Sequence, residues 1–123
     1  MKTGLVIEDD ENNMELITFI LKSNGFEILK AHTGQSGFEL AVEKLPDFII
    51  LDIQLPDMTG LEVLKKIRSS KADGSIPIIA MTSYAMSGDK EQLLAAGCNG
   101  YIEKPIDPET VINQIEATFK GTK

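Results

Sequence analysis

Two periods alternate along this chain. Nearly continuous apolar runs stand at Gly4-Leu5-Val6-Ile7, Phe48-Ile49-Ile50-Leu51 and Ile76-Pro77-Ile78-Ile79-Ala80-Met81. Such runs predict strands covered on both faces. Weaker runs at Glu27-Ile28-Leu29-Lys30-Ala31 and Gly100-Tyr101-Ile102 predict strands nearer the sheet edges. Between them the apolar spacing turns helical. Leu16, Ile17, Ile20 and Leu21 form one stripe, ended by Asn24-Gly25. Phe38, Ala41, Val42 and Leu45 form a second, at i, i+3, i+4 and i+7. Thr59-Gly60-Leu61-Glu62 is a capping box opening a helix that carries Val63, Leu64 and Ile67. Ser87 to Ala96 predict a helix stopped by Gly97. Asp107-Pro108 predict an N-cap followed by proline at the first helical position, with Val111, Ile112, Ile115 and Phe119 buried behind it.

The order is strand then helix, five times over, which predicts a parallel sheet with helices on both faces. Right-handed crossovers leave few topologies, and the order 2-1-3-4-5 is expected. In such sheets ligands bind beyond the carboxyl ends of the strands, where the strand order reverses. The residues just past the strands are therefore the ones to read. The first strand runs into Glu8-Asp9-Asp10, the third into Asp52, the fourth into Thr82-Ser83 and the fifth into Lys104-Pro105. With strands one and three adjacent, Glu8, Asp9 and Asp52 converge, and Thr82 and Lys104 close the other side.

Three carboxylates crowded together repel one another unless a cation joins them. A hard divalent ion such as magnesium takes one or two carboxylates and shares its remaining positions with water and phosphate. One carboxylate can then act as a nucleophile and form an aspartyl phosphate. Asp52, central and at the mouth of the most apolar strand, is the expected nucleophile. Lys104 supplies a point charge for phosphate and Thr82 a hydroxyl donor.

Four stretches now stand in order: Val6-Ile7-Glu8-Asp9-Asp10, Ile50-Leu51-Asp52-Ile53-Gln54-Leu55-Pro56-Asp57-Met58-Thr59-Gly60, Ile79-Ala80-Met81-Thr82-Ser83 and Gly100-Tyr101-Ile102-Glu103-Lys104-Pro105. Together they resemble the response-regulator receiver domain of two-component signalling, over essentially the whole chain. The resemblance implies a flavodoxin-like (βα)5 three-layer sandwich, with residues 1–123 forming one stand-alone receiver domain and no effector domain. It implies that Asp52 accepts a phosphoryl group from a histidine kinase or histidine phosphotransfer protein. Glu8, Asp9, Asp52 and the backbone carbonyl of Gln54 would hold magnesium or manganese. Thr82 and Lys104 would meet the phosphoryl oxygens, with Ser83 and Pro105 at the phosphate pocket and a cis Lys104-Pro105 peptide. Tyr101 would turn inward as Thr82 is drawn to the phosphoryl group. Gln54 and Tyr84 would flank the hydrolytic water and tune the lifetime of the phosphoryl group. The chain would catalyse only its own phosphorylation and slow dephosphorylation. Output would run through the face around the fourth helix, fifth strand and fifth helix to a downstream protein, or by passing the phosphoryl group onward.

Composition narrows the classes further. The 123 residues suit one domain. Lys and Arg number 12 against 19 Asp and Glu, for a net charge of −7, so nucleic acid is not an expected partner. Lys65, Lys66 and Arg68 make the densest basic cluster and read as a solvated helix face. No apolar run reaches the roughly 20 residues that span a bilayer, and no leader of signal-peptide type opens the chain, so no membrane contact and a cytoplasmic location are expected. Cys98 is the only cysteine and reads as an ordinary loop thiol. His32 reads as solvated, and Met14, Met58, Met81 and Met86 as gap-filling or loop residues.

Two other functions share parts of this pattern. A haloacid-dehalogenase-like phosphatase also uses a strand-end Asp nucleophile and magnesium. It needs a second Asp two residues later as general acid, and here that position is Gln54, which cannot donate and retake a proton. A flavin- or nucleotide-binding protein of the same layered fold would need a phosphate-binding loop after the first strand. Glu8, Asp9, Asp10 and Glu11 occupy that loop and would repel phosphate unless a metal intervened.

Overall fold

The computed structural model describes residues 2–70, 76–82, 87–104 and 106–121, the side chains of 87–90 and 119–121 excepted. Strands and helices alternate through β1 (Thr3–Ile7), α1 (Glu11–Ser23), β2 (Glu27–Ala31), α2 (Gly34–Lys44), β3 (Phe48–Asp52), α3 (Gly60–Arg68), β4 (Ile78–Thr82), α4 (Ser87–Ala95), β5 (Gly100–Glu103) and α5 (Val111–Gly121). The sheet runs β2-β1-β3-β4-β5, and all four pairings are parallel. Ile7 stands opposite Leu51 across the β1–β3 pair. The next residue of each strand, Glu8 and Asp52, therefore emerges at the same sheet edge. That edge is the topological switch point, as the sequence predicts.

Side chains alternate across the sheet into two apolar layers. Leu5, Ile7, Ile49, Leu51, Ile78 and Ala80 pack with Val63, Leu64 and Ile67 of α3 and Leu93 of α4. Val6, Phe48, Ile50, Ile79 and Met81 pack with Ile17 and Leu21 of α1 and Val111 and Ile115 of α5. Every residue of β3 and β4 is buried, which explains their unbroken apolar runs. β2 and β5, on the two edges, are partly open. Met14 and Met81 are core residues, and Met58 packs against the α3 side of the sheet.

Two helices depart from the apolar pattern. The expected stripe on α2 fails at Val42 and Leu45, which are exposed. Gly34, Gly37 and Ala41 are the buried residues instead, with Phe38 packed beside them. A methyl group added at Gly37 would stand only 2.5 Å from Ile7 Cδ1. α2 lies so close to the sheet that small residues make its contact face, and a count of large apolar residues cannot see that face. Leu45 is the helix C-cap, in the left-handed region at φ 47°. At the other departure, α5 begins at Val111 rather than directly after Asp107. Asp107 caps a preceding turn: its carboxylate accepts the Glu109 N–H at 2.9 Å and its carbonyl accepts the Val111 N–H at 3.0 Å.

Candidate functional site

β1 carries Glu8 into the fold, where its N–H donates to the Ala31 carbonyl at 2.9 Å and its side chain is buried. The three consecutive acids divide their work. Asp10 is the N-cap of α1 and accepts the Asn12 and Asn13 N–H groups at 2.8 and 3.2 Å. Glu8 and Asp9 are left for the pocket. One carboxylate oxygen each from Glu8, Asp9 and Asp52 lies within 4.8 Å of the others. Asp52 is nearly buried at the end of β3, and its Oδ1 accepts the Gln54 N–H at 3.1 Å.

Lys104 reaches this cluster from just past β5. Its N–H donates to the Thr82 carbonyl at 2.9 Å, tying the ends of β4 and β5 together. Its ammonium stands 3.1 Å from Glu8 Oε1 and 3.2 Å from Asp52 Oδ2. The approach to Glu8 Oε1 is an ion pair without well-directed hydrogen-bond geometry. Thr82, also buried, ends β4 on the same side of the sheet.

The electrostatics follow from this crowding. Burial, then hydrogen bonding to Asp52 and its charge, push the Glu8 carboxyl from an ordinary 4.5 up to about 7, against the opposing pull of Lys104. For Lys104, burial disfavours the ammonium, but Asp52 and Glu8 outweigh it and the net shift is upward. The residues fit a hard divalent cation. Their oxygens lie within 4.8 Å of one another, near the roughly 4 Å that separates opposite ligands of a magnesium ion. Two of the three carboxylates, Glu8 and Asp52, pair with the Lys104 ammonium.

The connection from β3 to α3 carries Gln54 beside the pocket. Gln54 and Thr59 form an isolated bridge, and the Gly60 N–H donates to the Ile53 carbonyl at 2.8 Å. Gly60 permits this closeness: an added Cβ would lie 2.5 Å from the Ile53 Cα and 2.8 Å from the Asp52 carbonyl oxygen. Asp57, in the same loop, accepts the Gly34 and Gln35 N–H groups at the start of α2, at 2.7 and 2.9 Å. Those bonds, Gln35 first, hold its carboxyl below the usual range.

The structure thus brings together Glu8, Asp9, Asp52, Thr82, Lys104 and the Gln54 backbone. Tyr101 stands apart, half-buried on β5 against the α3 side of the sheet. It lines a groove of about 360 Å³ with Glu103, Asp107, Thr110 and Gln114. Ser83, Tyr84, Met86 and Pro105 lie outside the described residues. His32 is exposed, as expected, and its Nε2 lies 2.9 Å from Glu11 Oε1 in a pair of small energetic weight. One expectation needs correction. Arg68 is not part of a solvated face, since its guanidinium donates to the Gly97 carbonyl at 3.0 and 2.8 Å and to Asn99 Oδ1 at 2.9 Å. Cys98, between them, is buried, and burial pushes its thiol up. Sequence reasoning missed Asp57 and Arg68 as fasteners because each grips backbone more than 20 residues away.

Comparisons with known proteins agree with this fold. A family model described as the response regulator receiver domain matches residues 5–116. The polar-differentiation response regulator DivK of Brucella ovis is 39% identical over 116 residues, covering 94% of each chain. The chemotaxis response regulator CheY4 of Vibrio cholerae superposes with a TM-score of 0.91 at 27% identity, over 96% of this chain and 98% of that one. The receiver domain of a Pseudomonas aeruginosa sensor histidine kinase superposes with a TM-score of 0.88 at 28% identity, over 97% and 98% of the two chains. Its structure is described with a magnesium ion coordinated in the active-site cleft.

Proposed function

The chain belongs to the response regulator receiver domain family, and on that premise we propose that it is a phosphorylation-operated switch whose acceptor is Asp52. Receiver domains are signalling modules rather than typical enzymes, so the chemistry here serves a change of partners. The observation that carries the reading is the charge balance around Lys104. One ammonium stands 3.1 and 3.2 Å from Glu8 and Asp52, with the Asp9 carboxylate beside them. A pocket with surplus negative charge favours a divalent cation, and a cation there makes a buried carboxylate a usable nucleophile.

The donor is a phosphohistidine on a histidine kinase or phosphotransfer protein. An oxygen of Asp52 attacks phosphorus, the P–O bond forms, and the P–N bond breaks with its electron pair going to the imidazole. Lys104 faces a phosphoryl oxygen and Thr82 donates its hydroxyl to another. Glu8, Asp9, Asp52 and the Gln54 carbonyl would hold magnesium or manganese, which would supply charge neutralisation at the transferring oxygens. The magnesium in the cleft of the Pseudomonas relative supports this assignment. Water later attacks the same phosphorus and frees Asp52. The family resemblance implies that Gln54 and Tyr84 tune this step, so Tyr84→Ala is expected to shorten the lifetime of the aspartyl phosphate; an unchanged dephosphorylation rate would remove Tyr84 from the account.

Phosphorylation draws Thr82 inward, Tyr101 follows, and the face formed by α4, β5 and α5 changes its protein partner. Glu103 and Asp107 beside Tyr101 give that face an acidic groove. Turnover of external phosphate esters has no support, because Gln54 stands where a phosphatase needs its general acid.

The test is intact mass after incubation with acetyl phosphate and magnesium. One phosphoryl adduct is expected, lost with EDTA and absent in Asp52→Asn. An adduct that persists in Asp52→Asn would refute the assignment of the acceptor.

A further inference from the structure

The Gln54 carbonyl can serve as a cation ligand only if the loop that carries it is held in place. The start of the loop is tied to β4, where the Ile53 N–H donates to the Met81 carbonyl at 3.1 Å, and its far side is fastened to α2. Asp57 reaches across to α2 and accepts the Gly34 and Gln35 N–H groups at 2.7 and 2.9 Å. Its neighbour Met58 fits where Gly34 lacks a side chain: a Cβ there would stand 2.5 Å from Met58 Cγ. α2 has its own cap as well. Thr33 Oγ1 accepts the Ser36 N–H at 3.1 Å, and Ser36 Oγ accepts the Thr33 N–H at 3.4 Å. The first two free amides of the helix therefore go to the β3–α3 loop and the third to the helix's own capping box. A charge-assisted pair of bonds from a carboxylate to a helix N-terminus is a strong fastening for an exposed group.

We propose that Asp57 is a positioning residue: its carboxylate latches the β3–α3 loop to the start of α2 and holds the Gln54 backbone ready for the cation. The inference rests on the metal site proposed above. Gln54 lies three residues from the latch, and its N–H is already committed to Asp52 Oδ1 at 3.1 Å, so movement of the loop moves both a ligand and the orientation of the acceptor. Without the latch, the segment between the Ile53–Gly60 and Gln54–Thr59 contacts must be ordered when the cation binds, and that ordering weakens binding.

The capping box supplies the control. Thr33→Ala removes a cap from the same helix terminus without touching the loop. Asp57→Ala removes the latch. Magnesium affinity is measured by calorimetry on the full chain at about pH 8, where Glu8 is ionised, and thermal stability is recorded for each variant. Asp57→Ala is expected to raise the magnesium Kd roughly tenfold and to speed amide exchange at Gly34 and Gln35. Thr33→Ala is expected to lower stability and leave the Kd within about twofold of wild type. Asp57→Asn keeps one acceptor oxygen and should fall between, and it carries the comparison if the alanine variant folds poorly. A Kd unchanged in Asp57→Ala, with wild type binding normally, overturns the latch alone. Equal weakening in Thr33→Ala overturns it too, because affinity would then track helix stability. Absence of magnesium binding in wild type overturns this inference together with the metal site on which it rests.

Discussion

Lys104 and Arg68 are cations drawn into opposite ends of the same sheet, and their surroundings differ in kind. Arg68, at the end of α3, forks onto the Gly97 carbonyl and the Asn99 side-chain oxygen. Asn99 in turn accepts the Ile78 N–H at 2.8 Å and donates its own N–H to the Ile78 carbonyl at 2.7 Å. Those acceptors are neutral and shaped for a planar fork, so the contact fastens α3 to the beginnings of β4 and β5. Lys104 instead stands among carboxylates that outnumber it. A guanidinium held by a carbonyl and a side-chain amide oxygen holds a structure together. Among the described residues, an ammonium outnumbered by carboxylates leaves a site that gains by binding something positive. One end of the strands carries a structural fastening and the other the candidate site.

The sharpest way to break this contrast is through pH. Glu8 has its carboxyl raised from 4.5 to about 7 in the folded chain, so the folded state holds that proton more tightly than the unfolded state. Its contribution is fully present below about pH 4.5 and is lost as pH rises through about 7, an effect on the order of 3 kcal/mol. Urea denaturation of the metal-free chain between those limits should show wild type losing stability relative to Glu8→Gln, with saturating magnesium offsetting the loss at the upper end. Parallel curves for the two proteins would mean that Glu8 is not strained by its neighbours.

The Arg68 end should respond oppositely. Arg68→Ala leaves Gly97 and Asn99 without their donor and should cost about 2 kcal/mol in chemical denaturation, while magnesium affinity stays at the wild-type value. A change in magnesium binding would show that the two ends are coupled. The smallest expected effect is at Lys104. Lys104→Met removes the competing ammonium, so magnesium should bind about tenfold more tightly, while phosphoryl uptake slows because a phosphoryl oxygen loses its counter-charge. Weaker magnesium binding in this variant would contradict the picture of an ammonium that partly occupies the role of the cation.

Much of this was legible in the sequence because burial on both faces writes itself as unbroken apolar runs. Phe48-Ile49-Ile50-Leu51 and Ile78-Ile79-Ala80-Met81 mark β3 and β4 without help from the structure. The strand order then puts Glu8 and Asp52 side by side, and Lys104 follows from the end of β5. What stayed hidden depends on closeness rather than on apolarity. The buried face of α2 is made of Gly34, Gly37 and Ala41, which contribute little to any hydrophobic period. Asp57 and Arg68 act on backbone atoms of distant segments, and backbone acceptors and donors carry no residue code. Within Glu8-Asp9-Asp10 the choice of Glu8 and Asp9 for the pocket came with the family resemblance, and the structure adds the job of the third acid, since Asp10 caps α1.

The central claim is that the surplus carboxylates make Asp52 a phosphoryl acceptor. The most direct measurement traps the acyl phosphate chemically. The chain is treated with acetyl phosphate and magnesium, reduced with borohydride, digested and sequenced by mass spectrometry. The account predicts homoserine at position 52, formed only when magnesium is present. Homoserine at Asp9, Asp10 or another aspartate, with Asp52 intact, would contradict it.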